Sequence, residues 1–126
     1  DFTIVYQRYL SKGTTEIFMT DSTGNELYQL TNNNLSEEYP QLSDNGAFFS
    51  YISNFDLSLW LVNLKTKSSF MVTDACTGYS WFPNGKIVFV NYDYTRIDEV
   101  KGTLWIMDSD GTNKKQLTKN CFKIIL

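Results

Sequence analysis

The residues best placed by type and spacing to do chemistry form the run Asp108-Ser109-Asp110-Gly111-Thr112-Asn113. Oxygen acceptors around a glycine are how a calcium loop begins, but the later acceptor and the distal bidentate Glu are missing, and turn chemistry accounts for the run in full. Two adjacent carboxylate pairs come next, Glu37-Glu38 and Asp98-Glu99. Neighbouring residues on a strand or loop diverge, so neither pair has the geometry of an acid and a base acting on one bond, and solvated surface is the expected place of both. Cys76 and Cys121 are the only thiols, and the 126 residues contain no histidine. That absence removes Ser-His-Asp and Cys-His nucleophile activation and leaves zinc with two thiols and some carboxylates. A G-x-S-x-G elbow is also missing. The expectation is a chain that is not an enzyme, with no catalytic residue, no metal and no cofactor.

Composition narrows the partner. With 42% apolar and 16% aromatic residues, the chain can build a packed core of ordinary single-domain size. Its net charge of −3 comes without acidic or basic blocks, so the basic stripe of a nucleic-acid groove is missing. The longest apolar runs, Leu59 to Val62 and Ile87 to Val90, are strand-sized and far below the roughly 20 residues of a membrane span. The sequence opens at Asp1 with no initiator Met and no apolar signal segment, which reads as a processed form or a piece of something longer.

The elements that position any site follow from an internal repeat. Ile17-Phe18-Met19-Thr20-Asp21, Leu59-Trp60-Leu61-Val62-Asn63 and Leu104-Trp105-Ile106-Met107-Asp108 share one pattern, with Asp21, Asn63 and Asp108 spaced by 42 and then 45 positions. Thr31, Thr73 and Thr118 close the three copies at the same spacings. Pro40-Gln41-Leu42-Ser43-Asp44-Asn45-Gly46 matches Tyr79-Ser80-Trp81-Phe82-Pro83-Asn84-Gly85, 39 positions on. Both Asn-Gly pairs suit a type I′ hairpin turn, and each precedes a β-rich run. The unit is a four-stranded antiparallel meander, strands A to D, in which the first copy lacks its A strand. About 40 to 45 residues with four strands is a propeller blade. The third strand of each copy is apolar at nearly every position, as when blades stack face to face. Phe18, Trp60 and Trp105 share one position in it and are expected between the blades.

The W-S-P-D-G-like turn, the aliphatic B strand, the L-W-x-M-D-x-D-G-x hairpin and the closing Q-L-T resemble the TolB-type propeller repeat, a WD-like repeat family. The likeness covers nearly the whole chain and is clearest from Tyr79 to Thr118. It departs in the second copy, where Asn63-Leu64-Lys65-Thr66-Lys67 replaces the Asp-Gly turn and Asp44 stands where the family prefers Pro. The fold expected is all-β, a β-propeller with three four-stranded antiparallel blades per chain, half of a six-bladed ring. Blades are placed at about 1–34, 37–75 and 77–120, with a closing strand at 121–126. Since the third copy's A strand aligns with Phe122-Lys123-Ile124-Ile125-Leu126, two chains are expected to exchange that strand and close one ring as a homodimer.

In such a meander the A-B and C-D turns fall at one end of each blade, and the B-C and D-to-A connections at the other. The third copy's B-C connection carries six extra positions, because Gly46 to Trp60 spans 14 and Gly85 to Trp105 spans 20. Tyr and Arg are favoured interface anchors, and loops on a rigid scaffold are where binding groups sit. Tyr92, Tyr94 and Arg96, with Asp98 and Glu99, are therefore the expected contacts of a protein partner. The resemblance implies a non-enzymatic scaffold that docks another protein, in the periplasm or secreted. It equally allows the propeller portion of a peptidase or polysaccharide lyase whose catalytic part lies outside this chain.

Overall fold

A computed structural model describes residues 2–97 and 102–121. The described residues are all-β apart from a single 3-10 turn at Pro83–Gly85, and form three antiparallel sheets. The first holds β1 (Thr3–Tyr9), β2 (Thr15–Asp21) and β3 (Glu26–Gln29). The second holds β4 (Glu37–Leu42), β5 (Phe48–Ser53), β6 (Leu59–Asn63) and β7 (Ser69–Thr73). The third holds β8 (Cys76–Phe82), β9 (Lys86–Tyr92), β10 (Gly102–Asp108) and β11 (Lys115–Lys119). In each sheet the strands are neighbours in chain order. The first sheet has three strands where the others have four, because the repeat begins there at its B strand.

The repeated Asp and Asn residues set the C-D turns. Asp21 Oδ1 accepts the Thr23 and Asn25 amides, and Asn63 Oδ1 accepts those of Lys65 and Thr66. Asp108 instead takes the Lys86 ammonium and the Asn113 amide, and the Lys86 contact holds its carboxyl below the usual range. Asp110 Oδ1 is occupied by the Thr112 amide and hydroxyl, which is turn chemistry. In each sheet the C-D register slips by one residue, near the start of the C strand at Leu59/Trp60 and Leu104/Trp105 and near its end at Met19/Thr20.

The two Asn-Gly turns differ. Asn84 and Gly85 both have positive φ, at 70° and 72°, as a type I′ turn requires. At the second-sheet turn only Gly46 does, while Asn45 turns its side chain inward to accept the Ala47 amide.

The main core lies between the second and third sheets. Ile52, Leu59, Leu61, Val72, Cys76, Tyr79, Ile87, Phe89 and Met107 pack there, with Phe70, Trp81 and Trp105 against them. The third strands are not uniformly buried. β2 is buried on both faces from Ile17 to Met19, whereas Leu104 and Ile106 of β10 stay half-buried, because no further sheet among the described residues covers their side; Trp105, on the opposite face, packs against the core and is half-buried there. Trp60 is also half-buried. Its indole N–H donates to Ser58 Oγ at 2.8 Å, and that of Trp105 donates to Thr103 Oγ1 at 2.9 Å. In the first copy both partners differ: Phe18 replaces the indole and Glu16 replaces the hydroxyl, and both are buried.

Candidate partner-binding face

Backbone hydrogen bonds tie the second and third B-C loops to adjoining D-to-A connections. Asn54 N donates to Ser36 O, Cys76 N to Leu57 O, and Tyr92 N to Ala75 O, at 2.8 Å in each case. One end of the sheets therefore gathers these loops into a continuous rim.

Exposed apolar side chains concentrate on that rim. Tyr9, Leu35, Tyr39, Phe55, Leu57, Tyr94 and Ile97 all lie there and are exposed, Phe55 at 79%. Tyr28, Met71 and Leu117, by contrast, sit on the outermost strands, each on a different sheet, and Phe2 and Ile4 lie at the opposite end, where β1 begins. A contiguous apolar surface rimmed by polar groups is the signature of an interaction site, whereas single exposed residues are ordinary.

Two depressions open on this end. The one of about 340 Å³ is lined by Asp74, Ala75, Asn91, Tyr92, Asp93, Tyr94 and Thr95. Here the rings of Tyr92 and Tyr94 meet edge to face, with centroids 4.6 Å apart. The loop that carries them is braced at its base: the Asn91 amide donates to Thr73 Oγ1 and to Asp74 O and Oδ1. Asp93 Oδ1 accepts the Thr95 amide and hydroxyl, which fixes the turn. Arg96 is exposed on the same turn. Tyr92, Tyr94 and Arg96 are thus brought to one place, while Asp98 and Glu99 lie outside the described residues.

The other depression, of about 390 Å³, is lined by Tyr39, Gln41, Ile52, Leu57, Cys76, Thr77, Gly78 and Tyr79. It lies between the first strands of the second and third sheets. Tyr39 and Leu57 hold φ of 55° and 61°, a left-handed conformation that costs an L-residue about 1–2 kcal/mol. Such strain persists only where surrounding contacts enforce it. They do so here: Tyr79 Oη donates to Tyr39 O, Gln7 Oε1 accepts the Tyr39 amide, and Leu57 O accepts the Cys76 amide. The strain turns both apolar side chains outward. Burial raises the Tyr79 phenol and pushes the Cys76 thiol up to about 11, so both are protonated donors at neutral pH. Cys76 Sγ donates to Gly78 O, and neither Cys76 nor Cys121 is in a disulfide. The available sequence signal for this depression is an apolar residue, Leu57, within a short loop.

Glu37 departs from its expected solvated position. It is buried, because the A-B pairing of β4 with β5 turns its side chain toward the first sheet, where Glu16, Thr31 and Asn33 receive it.

The sequence matches no protein-family model and no curated protein. Its structure is similar to that of a candidate TolB from Agrobacterium tumefaciens, with a TM-score of 0.65 and 26% identity over 93% of this chain. It is similar to oligogalacturonate lyase from Vibrio parahaemolyticus, with a TM-score of 0.63 and 14% identity over 93% of the chain. Acylaminoacyl peptidase from Pyrococcus horikoshii gives a TM-score of 0.60 and 16% identity over 90% of the chain. The chain spans 45%, 36% and 23% of those three proteins, less than half of each. Among the described residues no helix is long and apolar enough to cross a membrane. The meandering sheets, the repeat that numbers them and these likenesses agree: the chain has a TolB-like β-propeller fold.

Proposed function

We propose that this chain is a non-enzymatic scaffold that docks a protein partner on its loop-rich rim. The observation that carries this reading is the gathering of exposed aromatic and aliphatic side chains at that one end, around two open depressions. Tyr92, Tyr94 and Arg96 are the leading anchors, and Tyr39, Phe55 and Leu57 extend the surface toward the innermost strands. Aromatic and Arg residues dominate binding energy at protein interfaces. Replacing Tyr92, Tyr94 and Arg96 together by Ala should leave stability within about 1 kcal/mol, since surface loops seldom carry fold energy. Capture of a partner by the wild-type chain and its loss by the triple variant, at an unchanged melting temperature, is the expected result. Unchanged capture would move the site off this loop.

A second reading has its own support. Two of the similar structures are a lyase and a peptidase, and a propeller portion of such an enzyme would have its catalytic residues elsewhere. Reading the gene on both sides of this segment separates the two.

The same reasoning extends to assembly. Three sheets are fewer than the four to eight blades of closed propellers, and among the described residues β1 pairs only with β2. A second copy would complete the unpaired β1 edge and cover the half-buried face of β10, giving a homodimeric six-bladed ring. Light scattering should then report about twice 14.6 kDa. A stable monomer at micromolar concentration would instead place this segment within a longer propeller chain. A periplasmic or secreted location goes with the TolB likeness and is tested by fractionating cells.

A further inference from the structure

The junction between the first two sheets buries two carboxyl groups beside one exposed cation, Lys12. Glu16, on β2, and Glu37, at the start of β4, are 0% and 2% exposed. Glu16 Oε1 accepts the Asn33 amide at 3.2 Å and the Thr14 hydroxyl at 3.2 Å, and lies 3.3 Å from Lys12 Nζ. Glu37 Oε1 accepts Asn33 Nδ2 at 2.6 Å. Thr31 stands between them, its Oγ1 at 2.7 Å from Glu16 Oε2 and 3.3 Å from Glu37 Oε2, while it accepts the Ile17 amide at 2.9 Å.

Counting protons decides the state of this cluster. A threonine hydroxyl has one proton and two lone pairs. Its proton goes to Glu16 Oε2, the nearer oxygen, and one lone pair takes the Ile17 N–H. The other lone pair faces Glu37 Oε2. If Glu37 is ionised, acceptor meets acceptor there; if Glu37 carries a proton on Oε2, it donates and every group is satisfied. We propose that Glu37 holds a proton in the folded chain and that losing it loosens the 31–36 connection, making the first blade junction a pH-operated clasp.

The surroundings favour the neutral form. Lys12 is the cation bonded to the pair, and it is engaged with Glu16 and with Asn32 Oδ1 and Asn33 O. Arg8, opposite Glu16 across β1 and β2, lies over the Phe18 ring at 4.1 Å. Tyr51 on β5 is neutral, its phenol pushed up to about 12 by burial and by the charges of Glu37 and Glu16. Glu38, the neighbour on β4, adds negative charge. Burial, opposed by the Asn33 amide and reinforced by Glu16, pushes the Glu37 carboxyl up to about 7. Burial raises Glu16 as well, but hydrogen bonds from Thr31 and Asn33 outweigh it and hold that carboxyl below its ordinary value.

The sign of the effect follows by linkage. The unfolded or opened chain releases the Glu37 proton near the ordinary carboxylate value, and the closed form keeps it to about pH 7. The clasp is therefore fully formed in acid, weakens as pH rises through that window and is level above it. What it holds is the rim segment that carries the exposed Leu35, since Asn33 also accepts the Leu35 amide at 2.6 Å.

The test combines a carbon-13 carboxyl titration of Glu37 with hydrogen exchange of the Asn33 and Leu35 amides between pH 5 and 8, corrected for intrinsic rates. In the wild-type chain Glu37 should titrate well above the ordinary carboxylate range, and protection should fall by about tenfold or more across that interval. Glu37→Gln keeps a donor toward Thr31 and an acceptor for Asn33, so its protection should stay level with pH. A Glu37 that titrates at the ordinary value, or a wild type and a Glu37→Gln variant with the same pH profile, would overturn the proposal. Should the variant fail to fold, the wild-type titration alone decides.

Discussion

Replacing Phe89 by alanine is expected to lower stability by about 3–5 kcal/mol, the usual cost of truncating a buried phenylalanine. Phe89 is fully buried on β9, in the cluster that joins the second and third sheets, and Lys114 Nζ lies 5.3 Å from its ring centre. The cavity would open between two rigid sheets, where little can collapse into it. Because domains of this size are stable by only about 5–15 kcal/mol, the loss is a large share of the total. Denaturant unfolding should show the midpoint falling with an unchanged slope. Trp105→Ala makes the control: its indole is only half-buried, so about 1–3 kcal/mol is expected. A cost at Trp105 equal to that at Phe89 would mean that the indole is fully covered in the folded chain.

Glu16→Ala is expected to cost about 2–4 kcal/mol, through a different mechanism. It strands the Thr31 hydroxyl and the Asn33 amide without their acceptor and removes the partner of Lys12. Leaving buried donors unsatisfied costs about 1–3 kcal/mol each, offset here by water reaching the exposed Lys12 and Asn33. The variant has a second signature. Without the charge of Glu16, Glu37 loses one of the causes that raise its carboxyl, so the fall in stability between pH 5 and 7 should be shallower than in the wild type. Equal pH slopes in calorimetry would mean that burial alone raises Glu37.

The sheets, their order and their turns were legible from the sequence because each repeats. Asp21, Asn63 and Asp108 sit where a side-chain acceptor is needed to close a turn, and the chain marks the place three times. The insertion that brings Tyr92 against Tyr94 was legible by its length. Less local features were not. Leu59 and Leu61 are buried while Leu104 and Ile106, at the equivalent positions, are not, because coverage depends on which sheet lies beyond them, and no residue type encodes that. The left-handed Tyr39 comes from an irregularity in the pairing of β4 with β5, between Glu38 and Gln41, which a proline-containing strand permits but does not announce. Glu37 reads as surface beside Glu38 because its burial is decided by Thr31 and Asn33, contributed from the preceding connection.

The change of partners at positions 16 and 18 has a consequence for how the blades can be exchanged. In the second and third copies an indole N–H meets a hydroxyl, through Trp60 with Ser58 and Trp105 with Thr103; in the first, Phe18 and Glu16 stand in their places. At the next position of the same junction Glu37 corresponds to Cys76, which is buried and uncharged. Each seam therefore has its own chemical key. A tandem array made by repeating the third copy would lack any acid at its seams, and one made from the first would bring Glu16 to every seam without the Glu37 that β4 of the second copy supplies. Shuffling whole blades without their seam residues should give chains that pair out of order, so the order of blades is written in these few positions as firmly as in the loops that join them.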